Sequence, residues 1–148
     1  MDAKTRSHIV SIIDDVDDMT VATVRDDGYP QATTVSYVND GLAIYFATSA
    51  HAQKAANIAK CDKVSLTINR PYQRWEEIEG VSIAGRAHRV TDPAELDKAG
   101  ALMFEKFPQV ANFALEDVGE MVFIRIDPEF VSLLDYRRGF GHTELIAV

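Results

Sequence analysis

Residues 44–54 have the sequence Ile-Tyr-Phe-Ala-Thr-Ser-Ala-His-Ala-Gln-Lys, in which an apolar segment typical of a strand leads directly into an alanine-rich helical pattern. A strand that ends at a helix start favours an anion, because unpaired backbone N–H groups and the positive end of the helix dipole converge there. Thr48, Ser49 and Lys54 would add two hydroxyl groups and a cation. The segment therefore predicts a binding site for the phosphate group of a ligand.

Strand patterns and turn signals surround this segment. We predict an amphipathic helix from Lys4 to about Val16, and then an antiparallel meander of three strands. The turns of this meander contain Gly28 and Gly41, because glycine readily supplies the positive φ of a tight turn. Its three strands are 19–25, 31–38 and 42–47.

The remaining patterns predict a small barrel. A helix is expected over 51–59 and another from Asp92 or Pro93 to about Phe107, with Thr91 or Asp92 as its cap. Gly80 and Gly85 in a long strand permit a bulge or a close ligand approach. The four further strands are 64–69, 80–90, 121–126 and 130–135. Six or seven short antiparallel strands with a few helices predict a single mainly β domain over residues 1–148, a barrel with peripheral helices.

Composition narrows the classes of partner. The formal net charge of −8 argues against nucleic acid and anionic membrane surfaces, so the local basic residues suit a small anionic ligand. The longest apolar runs are too short to span a bilayer, and the N-terminus lacks the apolar core of a signal peptide. Cys61 is the only cysteine, so an internal disulfide is impossible. We expect a cytoplasmic protein.

No catalytic residue is predicted from the motifs. The four histidines lack metal-ligand spacing, and a dinucleotide fingerprint after a strand is missing. A Ser–His–acid triad stays open, although the sequence has no Gly-x-Ser-x-Gly motif. A flavin site needs a flat apolar wall and a few backbone hydrogen bonds, and the hydride chemistry belongs to the cofactor. The sequence is compatible with such a site.

Four segments together carry a resemblance to a known family. They are Met19–Arg25, the stretch Tyr-Pro-Gln-Ala-Thr-Thr-Val-Ser of residues 29–36, the Tyr-Phe-Ala-Thr of residues 45–48 with Lys54 six residues on, and the Lys-Val-Ser-Leu of residues 63–66. In this order they resemble the pyridoxamine 5′-phosphate oxidase-like, FMN-binding split-barrel superfamily, over about residues 5–135. The resemblance implies a split barrel, a two-fold homodimer, and FMN at the subunit interface.

The resemblance also implies site residues. The second strand would lie along the flavin ring and ribityl chain, and the strand-to-helix segment would hold the phosphate. Gly80 would approach the cofactor from the neighbouring subunit. The residues implied for the ring and ribityl chain are Thr33, Thr34, Val35 and Ser36, and those implied for the phosphate end are Thr48, Gln53 and Lys54. The strand-to-helix pattern described above adds Ser49 to the phosphate end.

Departures from the family pattern bear on the substrate. Thr33 stands where the pyridoxamine phosphate oxidases carry arginine, and Gln53 replaces a basic residue of the phosphate clamp. The Trp and Arg that serve the vitamer near the oxidase C-terminus have no clear counterpart. The resemblance therefore implies FMN and a small-molecule substrate without implying pyridoxamine phosphate. A deazaflavin coenzyme in place of FMN stays open, as does a flavin-binding module without enzymatic activity.

The C-terminal tail and one aromatic residue are further substrate candidates. Trp75 could anchor the core or a dimer interface, or stack on a substrate. Arg137, Phe140 and His142 could cover a pocket or bind an anionic substrate. Gly-Phe-Gly-His also resembles the tail of the haem-degrading branch of the superfamily, which makes haem ligation through His142 an alternative. No protein-only metal site is predicted.

Overall fold

The structure is a computed structural model that describes residues 1–113 and 119–148. Its three α-helices are α1 (Ala3–Asp15), α2 (Gln53–Lys60) and α3 (Pro93–Lys106). Its eight strands are β1 (Asp18–Val24), β2 (Pro30–Ser36), β3 (Val38–Asp40), β4 (Ala43–Ser49), β5 (Lys63–Asn69), β6 (Glu79–Arg89), β7 (Met121–Asp135) and β8 (Thr143–Ala147).

The strands form one antiparallel sheet that curls into a half-barrel. The strand order is β2-β1-β5-β6-β7-β4-β3, and β8 pairs with the C-terminal half of β7. The curl brings β2 next to β4 although the two do not pair, and this gap is the split of the barrel. The predicted fold class, a mainly β split barrel with peripheral helices, is confirmed. The sheet has eight strands, where six or seven were expected.

The predicted three-stranded meander is wrong. The two turns are present, with φ of 85° at Gly28 and 60° at Gly41. They close two separate hairpins, β1–β2 and β3–β4, which lie at opposite ends of the strand order. Tyr37 divides the expected second strand between them, and its hydroxyl donates to the Ile13 carbonyl of α1 at 2.6 Å. A single residue anchored to a helix thus redirects the chain from one end of the sheet to the other.

A second difference lies in β7, which is one strand of 15 residues instead of two short ones. The Asp-Pro-Glu of residues 127–129 has the composition of a turn. In the sheet, Pro128 pairs with Gly85 next to a register shift between Ala84 and Gly85. Proline is tolerated at a bulge, where a ladder bond is already missing. The strand β8, which sequence reasoning did not predict, follows the glycine-rich tail.

The core fills the curled sheet. Helix α1 buries Ile9, Ile12 and Ile13 against it, as its predicted amphipathic face requires. Helix α3 covers a second, smaller cluster that contains Tyr45 and Ala99. The Asp92 side chain caps α3 by accepting from the Glu95 N–H at 3.0 Å, as expected from the sequence. The two clusters hold β4 from opposite faces.

The bulge makes a stability prediction possible. A Cβ at Gly85 would lie 2.6 Å from the backbone oxygen of Asp127, and backbone cannot move aside as a side chain can. We expect Gly85→Ala to lower the free energy of unfolding by about 1–3 kcal/mol in urea titrations. In the matched control Gly100→Ala, within α3, a Cβ meets nothing within 4 Å, and alanine should stabilise the helix by about 0.5–1 kcal/mol. Equal effects of the two substitutions would contradict the steric argument.

Candidate functional site

The start of α2 leaves backbone donors available. Its N-cap residue, Ala52, has no side-chain oxygen, so no side chain caps the helix. The Ala52 carbonyl accepts from the N–H groups of Ala55 and Ala56. Within the residues that the structure describes, the N–H groups of Gln53 and Lys54 have no backbone acceptor. The helix therefore presents two donors and the positive end of its dipole at the end of β4.

Lys54 adds a cation to this helix start. The side chain is half-buried, and among the described residues no carboxylate oxygen lies within 4.0 Å of its ammonium group. Lys60, at the other end of the same helix, is by contrast exposed and ion-paired with Asp26. The two lysines of α2 thus differ in their electrostatic surroundings, and Lys54 is the one placed for an anionic ligand.

The two predicted hydroxyl residues point to different faces of β4. Thr48 pairs with Val122, shares the inward face with Phe46, and is 6% exposed. Ser49 is half-buried on the other face, and its Oγ accepts from the His51 N–H at 3.2 Å. Since β4 ends at Ser49, this hydroxyl group lies in the turn that leads to α2. Thr48 contributes to the packing beneath that turn.

A chain of side-chain amides joins α2 to the first two strands. Gln53 Nε2 donates to Asn57 Oδ1 at 2.7 Å. Asn57 Nδ2 donates to Thr23 Oγ1 at 2.9 Å and to Gln31 Oε1 at 3.3 Å. Asn57 is 3% exposed, so these bonds satisfy a buried polar group. Sequence analysis missed Asn57 and Gln31; the only signal was the i, i+4 spacing of Gln53 and Asn57.

The four predicted residues of β2 alternate between two faces. Thr33 and Val35 are half-buried and pair with Val21 and Met19, so they lie on the inward face. Thr34 and Ser36 are exposed on the outer face. Within the described residues β2 pairs only with β1, which leaves its second backbone edge open toward the split. A ligand in the split would meet this edge and alternate side chains, near the end of β2 at which Asn57 of α2 contacts Gln31.

Gly80 does not lie beside these residues in the same chain. Strands β1 and β5 separate β2 from β6, a distance of roughly 14 Å across the sheet. A Cβ at Gly80 would overlap Asn69 Oδ1, so a side chain of the same protomer already occupies that space. Its predicted contact with a cofactor of the neighbouring subunit stays a prediction.

The predicted substrate residues gather at the opposite end of β6 and β7. Phe140 is 79% exposed and Trp75 is 64% exposed, and their ring centroids are 5.8 Å apart. Tyr136 contacts Phe140 edge-on at 5.5 Å. His142 Nε2 is enclosed and has no hydrogen-bond partner within the described residues. The aromatic rings form an exposed patch, whereas the imidazole nitrogen faces protein.

The Arg137 guanidinium forms ion pairs with carboxylates of its own chain. Its Nε donates to Asp135 at 2.8 Å, and its Nη2 lies 3.2 Å from Glu79. Glu79 also binds the His8 imidazole and lies 3.5 Å from Arg70 Nε. This network joins α1 to the adjacent ends of β5, β6 and β7. The contacts of Arg137 are those of a structural residue, and its substrate role stays untested.

The network predicts a dependence of stability on pH. The Arg137 guanidinium lowers the pKa of Asp135 by hydrogen bonding, although burial opposes the shift. The folded carboxyl binds its proton less readily than the unfolded one. Its contribution to the free energy of unfolding is therefore complete above the ordinary pKa of about 4, and it is lost as the pH falls through the lower pKa of the folded state. In urea titrations, Asp135→Asn should lose less stability between pH 7 and pH 3 than wild type. Asp97→Asn, at an exposed position, should retain the wild-type difference.

Two further properties hold for the described part of the chain. No helix is long and apolar enough to cross a membrane. No three residues among His, Cys, Asp and Glu converge in a way that could hold a metal ion.

A curled antiparallel sheet with peripheral helices defines the fold class of a mainly β split barrel. The family model described as pyridoxamine 5′-phosphate oxidase matches residues 6–135, and the chain belongs to this family. No curated protein matches the sequence.

Solved structures share the fold. The heme binding protein of Mycobacterium smegmatis is 21% identical with a TM-score of 0.79, over 99% of this chain and 58% of that protein. A conserved hypothetical protein of Mycobacterium tuberculosis is 25% identical with a TM-score of 0.78, over 97% and 91% of the two chains. A candidate pyridoxamine 5′-phosphate oxidase of Listeria innocua is 21% identical with a TM-score of 0.71, over 88% and 98%. The chain thus spans little more than half of the first of these proteins.

Proposed function

We propose that the protein binds FMN and acts as an oxidoreductase on a small molecule. The observation that carries this proposal is the uncapped start of α2, where Lys54 and two backbone N–H groups are available on a helix that Asn57 joins to Gln31 of β2. These groups fit a phosphate dianion by charge and by donor number. Family membership supports the same cofactor. When bound, FMN would supply hydride transfer.

The chain's own residues would bind and orient the cofactor. The N–H groups at the start of α2 and the Lys54 ammonium group would bind the phosphate. The hydrogen bonds of Asn57 hold α2 against β1 and β2. The open edge of β2 would offer backbone N–H and C=O groups to a planar polar ring. Gln53 donates to Asn57 and carries no charge, so the clamp depends on one lysine for its positive side chain. The proposed arrangement would position the cofactor without requiring an acid or base of the protein.

A direct binding experiment tests the proposal. Purified protein is incubated with FMN, desalted, and examined by absorbance between 300 and 550 nm. We expect a retained flavin spectrum and quenching of flavin fluorescence on titration. Protein that desalts colourless and leaves FMN fluorescence unchanged would refute flavin binding. Reduction by NADH or NADPH, followed by reoxidation by an acceptor, separates an oxidoreductase from a flavin-binding module. Parallel titration with a deazaflavin coenzyme identifies which flavin is preferred.

We further propose that the protein is a homodimer in which Gly80 approaches the cofactor of the partner subunit. The outer face of β7 and β8 carries Phe130, 49% exposed, and Leu145, 72% exposed, and these apolar side chains suit a protein interface. Light scattering coupled to gel filtration should give twice the monomer mass, and a monomer would count against the interface.

Haem is the second candidate, supported by the fold shared with the mycobacterial heme binding protein. The proposed ligand is His142, whose Nε2 is enclosed by protein and would have to turn outward to reach iron. Titration with hemin tests this function. A Soret band that is lost in His142→Ala supports ligation, and a band that survives removes that role.

A further inference from the structure

A cavity of about 440 Å³ lies between α2 and strands β6 and β7. It lies on the β6 side of α2, whereas Asn57 attaches the same helix to β1. The cavity therefore adjoins a different face of α2 from the amide chain at the split. Most of its wall is apolar, and the small alanine side chains leave the space open. The apolar lining includes Ala55, Ala56, Ala59, Ala87, Val122 and Ile124.

Three charged or polar residues also line the cavity, and two of them already have partners. Asp62 accepts from Arg86 Nη1 at 2.9 Å. His88 Nδ1 lies 4.0 Å from Asp127. Arg89 is exposed, and no carboxylate within the described residues comes within 4.0 Å of its guanidinium. Arg89 is thus the cation placed to meet a ligand that enters this cavity.

Because Arg86 already pairs with Asp62, the charge that this largely apolar cavity offers to a ligand, among the described residues, is the Arg89 guanidinium, which favours an amphipathic anion. Burial of the apolar part of such a ligand favours binding through the hydrophobic effect, and its carboxylate can form a bidentate, charge-assisted hydrogen bond with a guanidinium. The volume lies at the lower end of the range for small-molecule pockets, which suits a medium-chain or aryl acid and is small for a dinucleotide. We propose that this cavity binds a small apolar monocarboxylate, held by Arg89 and by the alanine wall of α2.

This site is independent of the proposed phosphate site at the start of α2. It uses the side chains of Ala55, Ala56 and Ala59, whereas the phosphate site uses the backbone N–H groups of Gln53 and Lys54. Its occupation requires no flavin. Flavin-free protein is therefore the right material for the test, and failure of the FMN proposal would leave the result unaffected.

Calorimetric titration of flavin-free protein with octanoate and with 1-octanol tests the proposal. Octanoate should bind about tenfold or more tightly than the alcohol, because only the acid pairs with Arg89. Arg89→Gln should reduce octanoate affinity by about tenfold or more and leave octanol unchanged. Arg74→Gln, which removes an exposed arginine outside the cavity, should match wild type.

A second variant tests the cavity itself. Ala55→Leu keeps a good helix former and fills the cavity, so both ligands should lose measurable binding while urea unfolding shows a folded protein. Absence of octanoate binding by wild type would overturn the proposal. Unchanged octanoate affinity in both Arg89→Gln and Ala55→Leu would do the same, as would equal affinities of wild type for octanoate and octanol.

Discussion

Replacing Lys54 with alanine is expected to weaken FMN binding by about tenfold or more. The proposed clamp has one cationic side chain, and a hydrogen bond to a charged group contributes on the order of 1.5–3 kcal/mol. Lys54 is half-buried, so part of the cost of desolvating it is already met in the ligand-free protein. Fluorescence titration with FMN measures the change directly.

Two controls separate the phosphate contact from other effects. Lys60→Ala removes the same charge from the same helix, but at the end where the lysine is paired with Asp26, and FMN affinity should stay close to wild type. Riboflavin lacks the phosphate, so Lys54→Ala should leave riboflavin affinity unchanged. Equal losses for FMN and riboflavin would show that the substitution acts on the helix, and an unaltered FMN affinity would place the phosphate elsewhere.

Phe46→Ala is expected to cause the largest loss of stability, about 3–5 kcal/mol in the free energy of unfolding. The Phe46 side chain is 0% exposed and belongs to the main core. It lies on β4 opposite Ile124, two residues before Thr48. Removing the ring leaves a cavity under the strand that leads to the candidate site. Urea or thermal unfolding monitored by circular dichroism measures the effect.

The matched control is Phe104→Ala on α3. Phe104 is 55% exposed, so its removal should change the free energy of unfolding by about 0.5 kcal/mol or less. A loss below about 1 kcal/mol for Phe46→Ala would mean that the core collapses around the gap. FMN affinity of the folded fraction is a further readout, because β4 positions the turn before α2.

The candidate site was partly predictable because its signal is local. A strand that leads into a helix can be recognised from one stretch of sequence, and β4 and α2 lie where that stretch predicts them. The amide chain through Asn57 could not be predicted, because Thr23 and Gln31 are distant in the sequence and meet only after the sheet forms. The ion pair of Arg137 with Glu79 is non-local for the same reason.

The fold differs from the prediction in how the strands pair, because the alternation of polar and apolar residues along a strand does not specify its neighbours in the sheet. Strand periodicity identifies the β2 and β3 segments, but it does not tell which strand lies beside which. The bend at Tyr37 requires the contact with Ile13 of α1, and no residue pattern near Tyr37 signals it. The Asp-Pro pair at 127–128 suggested a turn, whereas a bulge opposite Gly85 absorbs the proline within one strand. Tertiary context overrode local composition at both places.

The open edge of β2 has a consequence for the solution behaviour of the ligand-free protein. An unpaired strand edge can recruit a strand from another molecule, and such recruitment is a common route to aggregation. Here the risk is limited to seven residues, because Pro30 begins the strand and the chain turns away at Tyr37. The same brevity that limits edge-to-edge pairing with other molecules leaves a row of open backbone groups of roughly 20 Å, which is longer than a tricyclic ring system.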